Sequence, residues 1–269
     1  MLTSRPGLRH EADLERGVCR VWLDRPDKLN ALTSSMYAGL REVILLAEAT
    51  PAIEAIVVAG APGRAFATGG DLAEWESLAD ASTVDAFVRY DSEWRTPFEL
   101  MLRCSKTVIS VVDGVCVAGG LLMCLSSDVV VATERSSFGL PEARVGIYES
   151  FTEVILPHVV GLTRARAMVA TGAPIDAVTA ERWGIVTRLV AAGEDVEAVV
   201  STILSQVLST SPEARAAYKR GMVSELRWSD TMGAIRNAFS PSAREGLEAF
   251  REQRPPKWPS SNEGHRNGM

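Results

Sequence analysis

Two short segments of this sequence can hold negative charge with backbone amides alone. The first, Ala65-Phe66-Ala67-Thr68-Gly69-Gly70-Asp71-Leu72, lies between a predicted strand and a helix. The second, Asp113-Gly114-Val115-Cys116-Val117-Ala118-Gly119-Gly120-Leu121, opens another helix. Paired glycines let the backbone approach a ligand closely and adopt φ above zero. N–H groups at a helix start have no intrahelical partner, and the dipole there favours an anion. If the two loops converge they form an oxyanion hole, where each donor typically lowers a barrier by roughly 3–4 kcal/mol. Either loop alone is an ordinary tight turn, and neither has the spacing of the Rossmann or Walker phosphate motifs.

The elements that must position these loops follow from hydrophobic periodicity. Val18–Leu23 alternates as a strand and ends at Asp24-Arg25-Pro26-Asp27. Thr33 or Ser34 caps an amphipathic helix reaching about Glu48, with Met36, Leu40, Val43, Ile44 and Ala47 on one face. Residues 53–59 form a buried strand before the first glycine loop. Helical periodicity then runs from about Leu72 to about Arg103, with a break expected at Pro97. Thr107–Val112 and 129–132 read as strands on either side of the second loop and its helix, 121–126. Thereafter strands are rare. Helices are expected at Thr152–Val160, 164–171, 176–183, Val196–Leu208, 212–225 and 242–251. Strands alternating with helices, then helices alone, indicate an α/β core over 1–190 with a helical region over 191–258. The polar, Pro-rich end, 259–269, is expected to be disordered.

Composition narrows the function classes. The 269 residues are 46% apolar and 23% charged, ordinary for a soluble domain with a real core. A net charge of −6 argues against nucleic acid as the main partner, because phosphate neutralisation needs a basic surface. Cys19, Cys104, Cys116 and Cys124 include no CxxC pair and no nearby His. Neither a zinc site nor a redox motif is expected, only free and mostly buried thiols. The opening MLTSRPGLRHEADLERG lacks the apolar core of a signal peptide, and no run approaches the ~18 apolar residues of a membrane span. No membrane partner and a cytoplasmic location are expected.

Specificity comes from the order of motifs. Asp24-Arg25-Pro26-Asp27-Lys28-Leu29-Asn30-Ala31-Leu32, AFATGGDL, DGVCVAGGL, Phe138-Gly139-Leu140-Pro141-Glu142 and Arg244-Glu245-Gly246 follow one another at family-like spacing. From about Gly17 to Lys257 the chain resembles the enoyl-CoA hydratase/isomerase (crotonase-like) family. The resemblance implies a spiral of ββα units with a helical trimerisation region, assembled as a homotrimer or hexamer. It implies that the N–H groups of Gly70 and Gly119 hold the thioester oxygen of an acyl-CoA. Lys28, Leu29 and Ala31, together with Gly70, Asp71, Leu72 and Ala73, match segments that wrap the CoA adenine and pantetheine. Coenzyme A enters as part of the substrate, and no separate cofactor or metal is implied. Lys28, Arg254 and Lys257 are candidate phosphate contacts.

The carboxylates depart from the family pattern. Its hydratases use two glutamates, the first three residues after the second oxyanion glycine. Here that position is Leu122, which can neither accept a proton nor hold a water. The second matches Glu142. Glu149 falls where some relatives, including naphthoate synthases, place a functional aspartate, although a carboxylate opening a helix is equally a dipole partner. The expectation is isomerase or hydratase-type chemistry with Glu142 as acid/base. A single Glu suffices for a 1,3-proton shift between C2 and C4, which favours the isomerase. The alternatives are hydrolytic or carbon–carbon cleavage of a cyclic β-keto acyl-CoA, and a degenerate acyl-CoA-binding protein. Retention of both loops and of Glu142 disfavours the last. His158, on a helix, reads as packed or partly exposed, and His10 and His265 lie in terminal segments. Tyr148, Trp75, Trp94 and Phe98 read as packing groups first and pocket walls second. There is no G-x-S-x-G elbow for a serine hydrolase.

Overall fold

The computed structural model describes residues 5–81, 84–224, 226 and 231–258. A hairpin, β1 (Leu8–Asp13) and β2 (Val18–Leu23), leads through a 3₁₀ turn at Pro26–Lys28 into α1 (Ser34–Ala49). Next come β3 (Ala55–Gly60), β4 (Ala65–Ala67), α2 (Leu72–Ala81) and α3 (Val84–Arg103). A second unit consists of β5 (Thr107–Val112), β6 (Val115–Val117) and α4 (Gly119–Leu125). A third contains β7 (Val129–Thr133), β8 (Ser137–Gly139), a 3₁₀ turn at Glu142–Val145, α5 (Thr152–Val160) and α6 (Leu162–Thr171). The chain continues through β9 (Ile175–Asp176), α7 (Ala177–Trp183) and β10 (Arg188–Val190). It ends in α8 (Val196–Leu208), α9 (Pro212–Met222), α10 (Thr231–Ala238) and α11 (Pro241–Arg251).

The strands divide between a six-stranded sheet, β1-β2-β3-β5-β7-β10, and a four-stranded sheet, β4-β6-β8-β9. Three times the chain leaves a strand of the larger sheet for one of the smaller and returns through helix, which is a spiral of ββα units. Among the described strand pairs, only β1–β2 and β8–β9 are antiparallel. β5 is buried along its whole length, as expected of a central parallel strand covered on both faces. The period of two separates the faces. Ile56 and Val58 point with Val21 and Leu23 into the main core beside α1, while Ala55 and Val57 pack with Val199, Val200 and Leu204 of α8.

The structure amends several expectations. Pro97 does not end a helix but lies inside α3. The first strand and the short β8, β9 and β10 were not legible in the periodicity, nor was α10. α9 stops at Met222, and residue 225 lies outside the described residues, as does the tail 259–269. All four cysteines are free and buried. Among the described residues no helix is long and apolar enough to cross a membrane.

Candidate active site

β4, β6 and β8 are neighbours in the smaller sheet, and each delivers one part of the site just beyond its C-terminal end. Gly70 follows β4, Gly119 follows β6 and Glu142 follows β8. The two glycine loops, separate in sequence, meet. Gly69 adopts φ +91°, and a Cβ built there would stand 2.5 Å from that of Ala118, so only glycine allows the contact. Ala118 itself is held at φ 54° and ψ −123°, a region that costs about 1–3 kcal/mol in a non-glycine residue. Its N–H donates to the Gly139 carbonyl at 3.1 Å, which ties the second loop to the end of β8, three residues before Glu142.

The loop before α1 completes the rim. Leu32 N–H donates to Gly69 O at 2.8 Å and Asp71 N–H to Leu32 O at 2.9 Å, an isolated parallel bridge that leaves the intervening Gly70 N–H unused. Among the described residues neither the Gly70 nor the Gly119 N–H donates a hydrogen bond. Both glycines line one cavity of about 1130 Å³ with Leu122, Glu142 and Glu149. Buried Asn30 shapes this rim, donating to Ala65 O at 2.9 Å and accepting from Arg25 N–H at 2.8 Å. Arg25 then pairs with Asp71 at 2.9 Å, fixing the segment 28–31 against the segment 70–73. Lys28, Leu29, Ala31, Asp71, Leu72 and Ala73 all border the same cavity.

Glu142 sits on the 3₁₀ turn. Its Oε2 is buried and has no hydrogen-bond partner among the described residues. Burial, with the charge of Glu149 added, raises its pKa from 4.5 to about 8. Glu149 is differently placed. Its carboxylate accepts from the N–H groups of Phe151 and Thr152, the latter at 3.0 Å, so it caps the start of α5 while bordering the cavity. Burial raises its pKa as well, against the lowering effect of those hydrogen bonds.

The turn bearing Glu142 is clamped from behind. A Cβ on Gly246 of α11 would lie 2.2 Å from the Val145 carbonyl, so the helix can seat against the turn only because that residue is glycine. Asn237 of α10 donates to Gly146 O at 3.1 Å and accepts from Tyr148 N–H at 2.7 Å. These contacts explain why the Arg244-Glu245-Gly246 motif accompanies a site about a hundred residues earlier in the chain.

Other candidates fall into place. Tyr148 borders the cavity, but its hydroxyl donates to Glu153 at 2.5 Å. Arg254 is held by Glu245, Glu248 and Glu252, so a phosphate would compete with three carboxylates for it; of the three phosphate candidates only Lys28 is both exposed and at the cavity rim. Lys257 is exposed and lies outside the cavity lining, and its own N–H donates to Glu245. Trp75 and Trp94 do line the cavity, whereas Phe98 is fully buried behind them. His158 is exposed, His10 lies in β1, and His265 is outside the described residues. Sequence reasoning missed Tyr37 and Tyr90, two buried tyrosines of the cavity wall. A tyrosine on the apolar stripe of α1 was the available signal, since a buried phenol needs a polar partner.

A spiral of ββα units that brings two glycine loops and a buried glutamate to one cavity defines a class of enzyme. The sequence profile of the enoyl-CoA hydratase/isomerase family matches residues 13–261, and the chain belongs to that family. A mevalonyl-coenzyme A hydratase of Beauveria bassiana is 28% identical over 276 residues, covering 96% of this chain and 98% of that one. A probable enoyl-CoA hydratase of Mycobacterium tuberculosis is 30% identical over 261 residues, covering 92% and 96%. Among solved structures, a carnitinyl-CoA hydratase from Mycobacterium avium superposes with a TM-score of 0.81 at 26% identity, covering 95% of this chain and 99% of that one.

Proposed function

We propose that this enzyme stabilises the enolate of an acyl-CoA thioester between the N–H groups of Gly70 and Gly119 and moves a proton with Glu142. The observation that carries the reading is the unpartnered Oε2 of Glu142, buried in the cavity that both glycines line. A carboxyl poised near pKa 8 can take a proton from carbon next to the thioester and return it at moderate cost. Leu122, 1% exposed, presents only hydrocarbon where a second glutamate would hold water. Glu149 is committed to the start of α5, and in this reading its role is to set the charge around Glu142.

That set of groups favours a 1,3-shift of a double bond over addition of water. Relatives named as hydratases and dehydratases keep hydration as the second reading, with Glu142 working alone or with Glu149. Coenzyme A is carried by the substrate and no further cofactor is required. A trimeric or hexameric assembly and a cytoplasmic location belong to the same reading. Exposed Tyr218, Met222 and Phe250 on the C-terminal helices support the former, and light scattering that returned a monomer would contradict it.

Incubation with a panel of acyl-CoA thioesters, followed by mass spectrometry, tests the chemistry. An unchanged mass with altered absorbance marks isomerisation, a gain of water marks hydration, and free CoA marks hydrolysis. Absence of any turnover across 2-enoyl, 3-enoyl and β-keto substrates would count against the proposal.

A further inference from the structure

The cavity holds a polar group that the scheme above leaves idle, the hydroxyl of Tyr37. Its helix begins firmly. Thr33 caps α1 by accepting from Met36 N–H at 3.3 Å, and Glu74 accepts from the Ser34 N–H at 2.7 Å and hydroxyl at 2.9 Å. Tyr37 follows in the first turn and is only 4% exposed. Its ring meets Phe98 edge to face, with centroids 6.0 Å apart and planes at 77°, which fixes the direction of the phenol.

That direction is toward the two glycines. The Tyr37 oxygen lies 3.4 Å from where a Cβ of Gly119 would stand and 3.6 Å from that of Gly70. No hydrogen bond among the described residues ends on it, although it lines the cavity. The hydroxyl opens onto the cavity, where it can donate to whatever atom is bound there. An atom bound between the glycine loops would give it a partner, beside the Tyr90 hydroxyl, which stands 3.3 Å from the Gly70 Cβ position.

We propose that the Tyr37 hydroxyl is a third donor of the oxyanion hole, hydrogen-bonding the thioester oxygen alongside the Gly70 and Gly119 N–H groups. This rests on the reading of the site as an acyl-CoA oxyanion hole. Burial, with Tyr90 and Glu149 close by, holds the phenol well above its ordinary pKa, so it stays protonated and can donate. The donor is neutral and preorganised, and it takes up the developing charge without a proton leaving the tyrosine. It also fits a site without a carboxylate at position 122. An enzyme that only shifts a proton gains most from stabilising the enolate, whereas one that adds water also needs groups to orient that water.

The test uses 4-(N,N-dimethylamino)cinnamoyl-CoA, whose absorption band moves to the red as hydrogen bonds polarise its carbonyl. On the full-length protein, binding should produce a red shift, and Tyr37→Phe should bind within a few-fold of wild type with a clearly smaller shift. Turnover on a substrate identified by the panel should fall by roughly 10²-fold. Incorporating 3-fluorotyrosine at position 37 keeps the ring and hydroxyl but sharpens its acidity, and should move the band further than wild type does. A merely structural tyrosine would leave the band position unchanged. Equal red shifts in wild type, Tyr37→Phe and the fluorinated protein would overturn the third-donor assignment alone. A wild-type protein that bound the probe without a red shift, or failed to bind it, would overturn the oxyanion reading itself.

Discussion

Replacing Glu142 with glutamine should make the protein more stable at alkaline pH while removing most of its activity. The folded carboxyl titrates near 8 and the unfolded one near 4.5. Below 4.5 both states carry the proton, between the two values only the folded state does, and above 8 neither does. Stability supported by the raised pKa is therefore complete below the unfolded value and is lost as pH climbs through the folded one. At about 1.4 kcal/mol per tenfold change in proton affinity, the span amounts to roughly 5 kcal/mol, less whatever cavity water recovers. Glu142→Gln keeps the shape without the ionisation. Urea denaturation of both proteins at equal concentration, from pH 5 to 9, should show the wild type weakening relative to the variant by several kcal/mol. Glu149 is present in both proteins, so it enters the difference only through its coupling to Glu142. Turnover of the variant should fall by about 10²–10⁴-fold with acyl-CoA affinity little changed. Stability curves that ran parallel across that range would refute the claim that Glu142 is desolvated in the folded protein.

Two further outcomes are expected. Wild type should hydrate crotonyl-CoA poorly and Leu122→Glu should hydrate it faster, provided the new carboxylate survives burial in a helix face where it costs several kcal/mol; stopped-flow loss of enoyl absorbance decides this, and hydration by wild type at ordinary hydratase rates would overturn it. Gly246→Ala should lower stability by about 1–3 kcal/mol, because its Cβ meets the Val145 carbonyl at 2.2 Å. It should also cost turnover by up to about 10²-fold through displacement of Glu142, and activity within two-fold of wild type would show that the turn is held by other means.

Much of this architecture was legible in the sequence because local and tertiary demands agree there. Val18–Leu23, Thr107–Val112, Thr152–Val160 and Val196–Leu208 begin and end where their apolar pattern does. Thr33 was readable as a cap because its side chain meets an amide three residues on, a purely local bond. Pro97 misled for the converse reason. A proline forfeits one helical hydrogen bond, but the helix around it is retained by burial of Phe98, Met101 and Leu102 in the main core. The strands β8 and β9 span three residues and two, too short for an alternation to register. The glycine loops and Glu142 were found through motif order, yet nothing local states that Gly69 touches Ala118. The capping bonds of Glu149 and the approach of Tyr37 to both glycines likewise exist only once distant elements have docked.

The seat of α11 on the glutamate turn links chemistry to the order in which the chain is made. The two amide-bearing loops and their sheets are complete once β10 has been synthesised. Glu142 has by then emerged too, but Asn237 and Gly246, the residues that brace its turn, have not. Gly246, Ala249, Phe250 and Arg254 also line the cavity, so its wall and the bracing of Glu142 are completed together at the end of synthesis. A chain cut before α11 would keep both amide-bearing loops but would lack the brace on the Glu142 turn and one wall of the cavity.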